Sequence, residues 1–197
     1  RRWIQRYMIM KKYITTPLTQ EKLKDLHSGD RVLLSGVIYT SRDAGHKRLV
    51  EAHKKGEKLP VDLKDATIYF VGPTPAKPGQ ALGSCGPTTS YRMDAYSPYL
   101  IKECGLTGMI GKGKRNDEVV NAMKEYGAVY FGAIGGAGAL LSQSVVKSEI
   151  VAYEDLGAEA LHRLEVKDMP LTVVIDCYGE NLYKTGVEDY LRQRDEK

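Results

Sequence analysis

Residues 72–87, GPTPAKPGQALGSCGP, hold four of the chain's eight prolines together with four glycines. Proline fixes φ and lacks the N–H that a helix or sheet interior needs, while glycine leaves the backbone loosely constrained. No regular element tolerates that density, so the fold must be built around an irregular crossing.

The segments on either side alternate in type. Thr19 precedes an amphipathic stretch, 20–27, which Gly29 closes, and this predicts a capped helix. Residues 31–39 (RVLLSGVIY) are rich in β-branched and aliphatic types and predict a strand. Helical spacing follows over 43–55, with Ala44, Leu49, Val50 and Ala52 apolar, and then a strand over 66–71. Beyond the crossing, a helix is expected from Thr88 through Tyr99 to Gly105, with Pro98 kinking it or opening a second segment. A short strand at 107–110 leads to a helix over 117–126, with Asn116 as its cap and Gly127 as its end. A strand at 128–134, a helix of small residues, strand-like segments at 145–152 and 171–176, and a polar helix after Gly186 complete the reading. Strands alternating with helices argue for an α/β layered fold. No repeat or linker divides the chain: a single domain is expected over 10–197, behind a leader at 1–9.

Composition narrows the function classes. At 197 residues the chain can bury roughly 70% of its unfolded surface, enough for a substantial core. No run approaches the ~20 apolar residues of a membrane span, and a cytoplasmic domain is expected. Three widely spaced cysteines, Cys85, Cys104 and Cys177, exclude a disulfide framework and most self-contained zinc or iron–sulfur sites. The formal net charge is +4, yet residues 1–60 carry 14 basic against 6 acidic side chains. That gradient leaves open a non-enzymatic module binding anions or nucleic acid. Three of the basic residues, Arg1, Arg2 and Arg6, fall in the leader, and most of the others alternate with acids as a solvated face would.

Four clusters could carry chemistry. In Gly83-Ser84-Cys85-Gly86-Pro87-Thr88-Thr89-Ser90-Tyr91-Arg92-Met93-Asp94, three hydroxyls fall where a helix is expected to begin. Free backbone N–H groups there favour an anion, and Arg92 lies one helical turn beyond Thr88. In Thr40-Ser41-Arg42-Asp43-Ala44-Gly45-His46, a strand meets a helix, and ligands of α/β sheets commonly lie beyond strand carboxyl ends. There Asp43 is expected to cap the helix and pair locally, and His46 to be a hydrogen-bonded structural residue. Lys112, between Gly111 and Gly113, lacks the spacing of a P-loop and suits either a surface turn or a close approach. Gly132-Ala133-Ile134-Gly135-Gly136-Ala137-Gly138 fails as a dinucleotide fingerprint, because Leu141 stands where a small residue is required. It is read as small-residue packing.

Taken together, SRDAGHKR (41–48), GPTPAKPGQALGSCGPTTSYRMD (72–94), GMIGKGK (108–114) and the stretch 132–183 resemble the β region of class I, iron–sulfur-dependent fumarases and L-tartrate dehydratases. The pieces come in family order. The resemblance implies a three-layer β/β/α swivelling domain with a central, mainly parallel sheet. It implies reversible hydration of fumarate to L-malate, or dehydration of L-tartrate or a related hydroxy-diacid, by a hetero-oligomer. An α subunit would hold the [4Fe–4S] cluster, so that this chain supplies no metal ligand and is active only with that partner. It further implies Thr88 as general base and Arg42, Thr89, Arg92 and Lys112 as substrate-binding residues.

Overall fold

The structure, a computed structural model, describes residues 11–81, 83, 86–133 and 138–184. The leader, Cys85, the glycines at 135 and 136 and the polar segment after Gly186 lie outside the described residues.

All seven described strands belong to one sheet: β1 (Lys11–Thr15), β2 (Arg31–Thr40), β3 (Thr67–Tyr69), β4 (Gly108–Gly111), β5 (Val129–Ala133), β6 (Val145–Ala152) and β7 (Leu161–Ile175). Pairing is parallel from β1 to β2, β3, β4 and β5, and antiparallel where β7 meets β2, β5 and β6. Because β5 pairs with β7 and β7 returns to β2, five strands form a partly closed circuit. The α/β class is as expected. The sheet, however, is mixed, with antiparallel pairings of β7 beside the parallel ones.

The difference traces to β7. Only 171–176 reads as a strand in the sequence, because His162, Arg163, Glu165, Lys167, Asp168 and Pro170 interrupt the apolar pattern. Yet Leu161, Leu164, Val166, Met169, Leu171 and Val173 are buried. Pro170 is tolerated because β6 pairs β7 only as far as Val166 and β5 begins at Leu171, a gap where one missing donor costs little. The edge strand β1 is also absent from the sequence reading; its two lysines and exposed Tyr13 leave Ile14 as its one fully inward residue.

Successive residues of the strands serve two cores. Tyr69, Val71, Ile110, Val129 and Phe131 pack with Val32, Leu34, Ile38, Leu164 and Val173 on the enclosed face. Ile68, Phe70, Met109 and Tyr130 point the other way. Against them lie α2 (Asp43–Lys54) through Leu49 and Val50, α3 (Ser97–Cys104) through Leu100 and Ile101, and α4 (Asp117–Tyr126) through Val119 and Met123. Asn116 caps α4 as its position predicts, its side chain accepting from Val119 N–H at 3.0 Å. Two short helices, α1 (Gln20–Leu23) and α5 (Gly138–Gln143), complete the described set, with Thr19 making no side-chain cap. No helix among the described residues is long and apolar enough to cross a membrane.

The stretch after the crossing is not one helix. Residues Ser90–Ala95 form a 3-10 turn and α3 begins afresh at Ser97, with Pro98 in its first turn. What fixes that turn is a buried ion pair. Arg115 Nε donates to Asp94 at 2.6 Å, its Nη2 donates to Ser97 Oγ at 2.6 Å, and Asp94 also accepts from the Asn116 N–H at 2.9 Å. The guanidinium lies 5.1 Å from the Phe70 ring and 5.0 Å from the Tyr130 ring. Burial alone lowers the Arg115 pKa, and the Asp94 contacts oppose that shift. Removing one partner strands the other charge, so Asp94→Asn is expected to lower unfolding stability by about 3 kcal/mol or more. The double change Asp94→Leu with Arg115→Met should cost less than the single one. Denaturant titrations of the three proteins measure both.

Candidate active site

Three segments converge beyond the carboxyl ends of β2, β3 and β4. Arg42, Asp43, Thr88, Thr89, Arg92 and Lys112 line one open cleft of about 290 Å³, together with Pro87, Tyr91 and Met93. All five residues singled out as base or substrate-binding in the sequence thus face a common space. A larger neighbouring cavity of about 600 Å³ shares Pro87 and Lys112, but Ala133, Leu141, Val174 and Leu182 make its wall mainly apolar. Both arginines belong to the smaller one, and Lys112 lines the two.

Each segment is fixed by its own backbone chemistry. Thr88 N–H and Oγ1 both donate to the Phe70 carbonyl at 2.9 Å, which ties the crossing back to the end of β3. Thr89 bridges Lys112 as an isolated parallel pair. Ser90 N–H donates to the Lys112 carbonyl at 2.7 Å, and Lys112 N–H donates to Ser90 Oγ at 3.0 Å. Ser90 Oγ in turn lies 2.8 Å from Tyr130 Oη, whose proton goes to the Gly113 carbonyl at 2.8 Å. A proton-consistent chain therefore runs from Lys112 N–H through Ser90 and Tyr130 to Gly113, and burial pushes the Tyr130 phenol up to about 12. Ser90 is a structural link rather than an anion ligand, and a six-residue 3-10 turn replaces the helix start expected there. The close approach foreseen for the glycine-flanked lysine is that of Ser90 itself: a Cβ on Gly111 would fall 2.0 Å from Ser90 Oγ.

Arg42 is set by the turn between β2 and α2. Ser41 N–H donates to the Tyr69 carbonyl at 3.1 Å. The Arg42 carbonyl accepts from His46 N–H at 2.8 Å and lies 2.9 Å from His46 Nδ1. His46 is the structural histidine expected, wholly buried and edge-on to Phe70. Asp43 departs from expectation: it occupies the first turn of α2 without capping it, and its nearest cation is Arg92, 3.7 Å away and distant in sequence. Glu159, from the 3-10 segment Glu154–Glu159, lies 3.3 Å from Arg42 Nε and was not foreseen; nothing in its local pattern marks it. Nor does any spacing rule reveal that Arg115, rather than Lys112 or Lys114, is the buried cation.

Charge in the cleft is unevenly balanced. Arg92 is more than half exposed and also meets Tyr91 Oη through its Nε at 3.4 Å. The Lys112 ammonium has no partner among the described residues. Elsewhere several of the described basic residues before position 60 are engaged structurally: Lys12 pairs with Asp30 at 2.7 Å, Lys22 donates to the Thr15 and Pro17 carbonyls, and Arg48 pairs with Asp155.

A cluster or metal does not fit the described residues. No group of three or more His, Cys, Asp or Glu is arranged to hold one among them. Burial pushes the Cys104 thiol up to about 11 and raises Cys177 as well, the opposite of what a thiolate ligand requires.

Burial also lowers His46 from its ordinary 6.5 to about 4. The fold favours the neutral ring, so the unfolded chain binds the extra proton between those values. This contribution is complete above pH 6.5 and is lost as pH falls towards 4, by about 3 kcal/mol in all. Denaturant midpoints taken from pH 7 to pH 4 should fall more steeply for the native chain than for His46→Asn.

Residues 6–186 match the family model for the fumarase C-terminus. An aerobic class I fumarate hydratase of Escherichia coli (strain K12) is 41% identical over 155 residues, covering 78% of this chain and 28% of that enzyme. Fumarate hydratase 2 of Leishmania major is 36% identical over 165 residues, 83% of this chain and 29% of that protein. The chain thus spans less than a third of these fumarate hydratases. A Methanocaldococcus jannaschii protein described as an L(+)-tartrate dehydratase subunit beta is 39% identical over 177 residues, 87% of this chain and 91% of its own length. The chain belongs to the fumarase C-terminus family, the region common to class I fumarate hydratases and the tartrate dehydratase β subunit.

Proposed function

We propose that this chain is the β part of an iron–sulfur hydro-lyase that reversibly hydrates fumarate to L-malate. The observation that carries this reading is the gathering of Arg42, Arg92, Lys112, Thr88 and Thr89 around one cleft of about 290 Å³. A four-carbon dicarboxylate brings two negative charges, and two guanidinium groups and an ammonium match them better than a single cation would. In solution the same groups draw dianions towards the cleft.

The chain's own residues then act as follows. Arg42 and Arg92 hold the carboxylates, with Thr89 and Lys112 adding donors. Removing a proton next to a carboxylate drives further negative charge onto that carboxylate, and the fixed cations stabilise it without reorganising. Thr88 exchanges the proton. In hydration its hydroxyl, which donates to the Phe70 carbonyl in this structure, gives its proton to carbon and is left as the alkoxide. In dehydration that alkoxide takes the proton from carbon, and the hydroxyl on the neighbouring carbon leaves as water with a proton from an acid of the α partner. The cations around the cleft supply the stabilisation an alcohol needs for the role. The residues described do not suit the [4Fe–4S] cluster, which on this reading a partner α subunit would hold. The match along 91% of a tartrate dehydratase subunit favours, as a second reading, an L-tartrate or related hydroxy-diacid substrate. A site built around one substrate hydroxyl discriminates strongly between such diacids.

The test is kinetic, on the chain purified anaerobically with its α partner. Fumarate, malate and tartrate compared at steady state separate the two substrates, and the chain alone should turn over none of them. Thr88→Ala should lower kcat by about 10²-fold or more with little change in KM. Arg92→Ala should raise KM by about tenfold or more, as loss of a charge-assisted hydrogen bond does. Near-normal kinetics in both variants would remove the site assignment.

A further inference from the structure

The two arginines of the cleft differ in how they are held. Arg92 is exposed and lies near Asp43 and Tyr91. Arg42 runs through a trench: an added Cβ on Gly72 would lie 3.3 Å from Arg42 Cδ, 3.4 Å from Arg42 Nη1 and 3.4 Å from the Ala158 carbonyl. At the end of this trench stands Glu159, with Oε1 3.3 Å from Arg42 Nε. Arg42 Nε is shut off from solvent and off hydrogen-bond alignment, so Glu159 is its charge partner rather than a formal acceptor. Glu159 does not line the cleft, and it meets the guanidinium on the Nε side.

A guanidinium can meet a carboxylate through its Nε side or through its two terminal nitrogens. With the Nε side occupied by Glu159, and Gly72 allowing the side chain to lie flat, the terminal pair is the edge left for a ligand. We propose that Glu159 is a positioning residue that orients Arg42 to receive a substrate carboxylate end-on. The inference rests on the dicarboxylate reading above and adds to it a residue from a distant segment. An opposite effect is physically available: a carboxylate beside Arg42 could compete with the ligand and weaken binding. The two predict opposite signs for removal of Glu159. Held in place, Arg42 meets its ligand without losing side-chain freedom, whereas a loose arginine must be immobilised on binding.

The experiment titrates succinate, a dicarboxylate that cannot be hydrated, into the full chain and its variants, with thermal midpoints recorded alongside. Glu159→Ala should weaken succinate about tenfold, Glu159→Gln less, and Glu159→Asp should recover part of the loss. In the assembled enzyme the same series should raise KM more than it lowers kcat. Gly72→Ala, which crowds Arg42 without touching either charge, should weaken succinate severalfold and decides the matter if Glu159→Ala does not fold. Unchanged or tighter succinate binding in Glu159→Ala, or in Gly72→Ala where only that variant folds, overturns the proposal. A lowered thermal midpoint with normal succinate binding likewise reduces Glu159 to a structural role. Absence of diacid turnover in the native assembly would count against the proposed reaction, while succinate affinity would still settle the role of Glu159.

Discussion

The buried pair between Asp94 and Arg115 is the constraint on which the rest of the site depends. It ties the 3-10 turn that carries Arg92 to the start of α4, while two aromatic rings close over the guanidinium. From that anchor the neighbouring Ser90 is pressed against the end of β4, and through Ser90 the backbone of Lys112 is held. Thr88, two residues earlier, is fixed to Phe70. A charge pair that faces no substrate thus helps set where Arg92 and Lys112 stand. Buried pairs of this kind often add little net stability over apolar packing. Here the pair determines where the backbone of the 3-10 turn may go, and that turn forms one wall of the cleft.

The fold works with this by placing the ends of parallel strands together. β2, β3 and β4 run side by side, and their carboxyl ends bring Arg42, Thr88 and Lys112 within one opening although they are far apart in sequence. Ligand sites of α/β sheets form where several strand ends meet. The antiparallel β7 contributes differently: by closing the circuit between β5 and β2, it stiffens the sheet from which these residues project. It also leads out of the 3-10 segment that brings Glu159 to the Nε side of Arg42.

Much of the site was legible in the sequence because motifs are local. SRD at a strand-to-helix junction, GPTT after a proline-rich crossing and GKG after a short strand each carry a backbone requirement visible in a few residues. Their meeting was not readable from spacing, and the family resemblance alone joined them. Local patterns failed where tertiary contact overrode them. The helix expected from Thr88 gave way to a 3-10 turn, because Ser90 is drawn to Tyr130 and Lys112 instead of continuing a helical ladder. Most of β7 escaped notice because its polar residues are satisfied by other segments: buried His162 meets Thr40, and Arg163 pairs with Glu149 of β6. Arg115 and Glu159 carry no local mark at all, since their partners Asp94 and Arg42 are supplied by other segments.

The central claim is that this cleft, with its guanidinium and ammonium groups, receives a four-carbon dicarboxylate. The most direct measurement is a crystal structure of the assembled enzyme with malate bound. The account predicts one carboxylate against the terminal nitrogens of Arg42, the other within reach of Arg92, and Thr88 Oγ1 facing the carbon that exchanges its proton. Malate seated in the larger apolar cavity beside it, or remote from all three cations, would contradict the account.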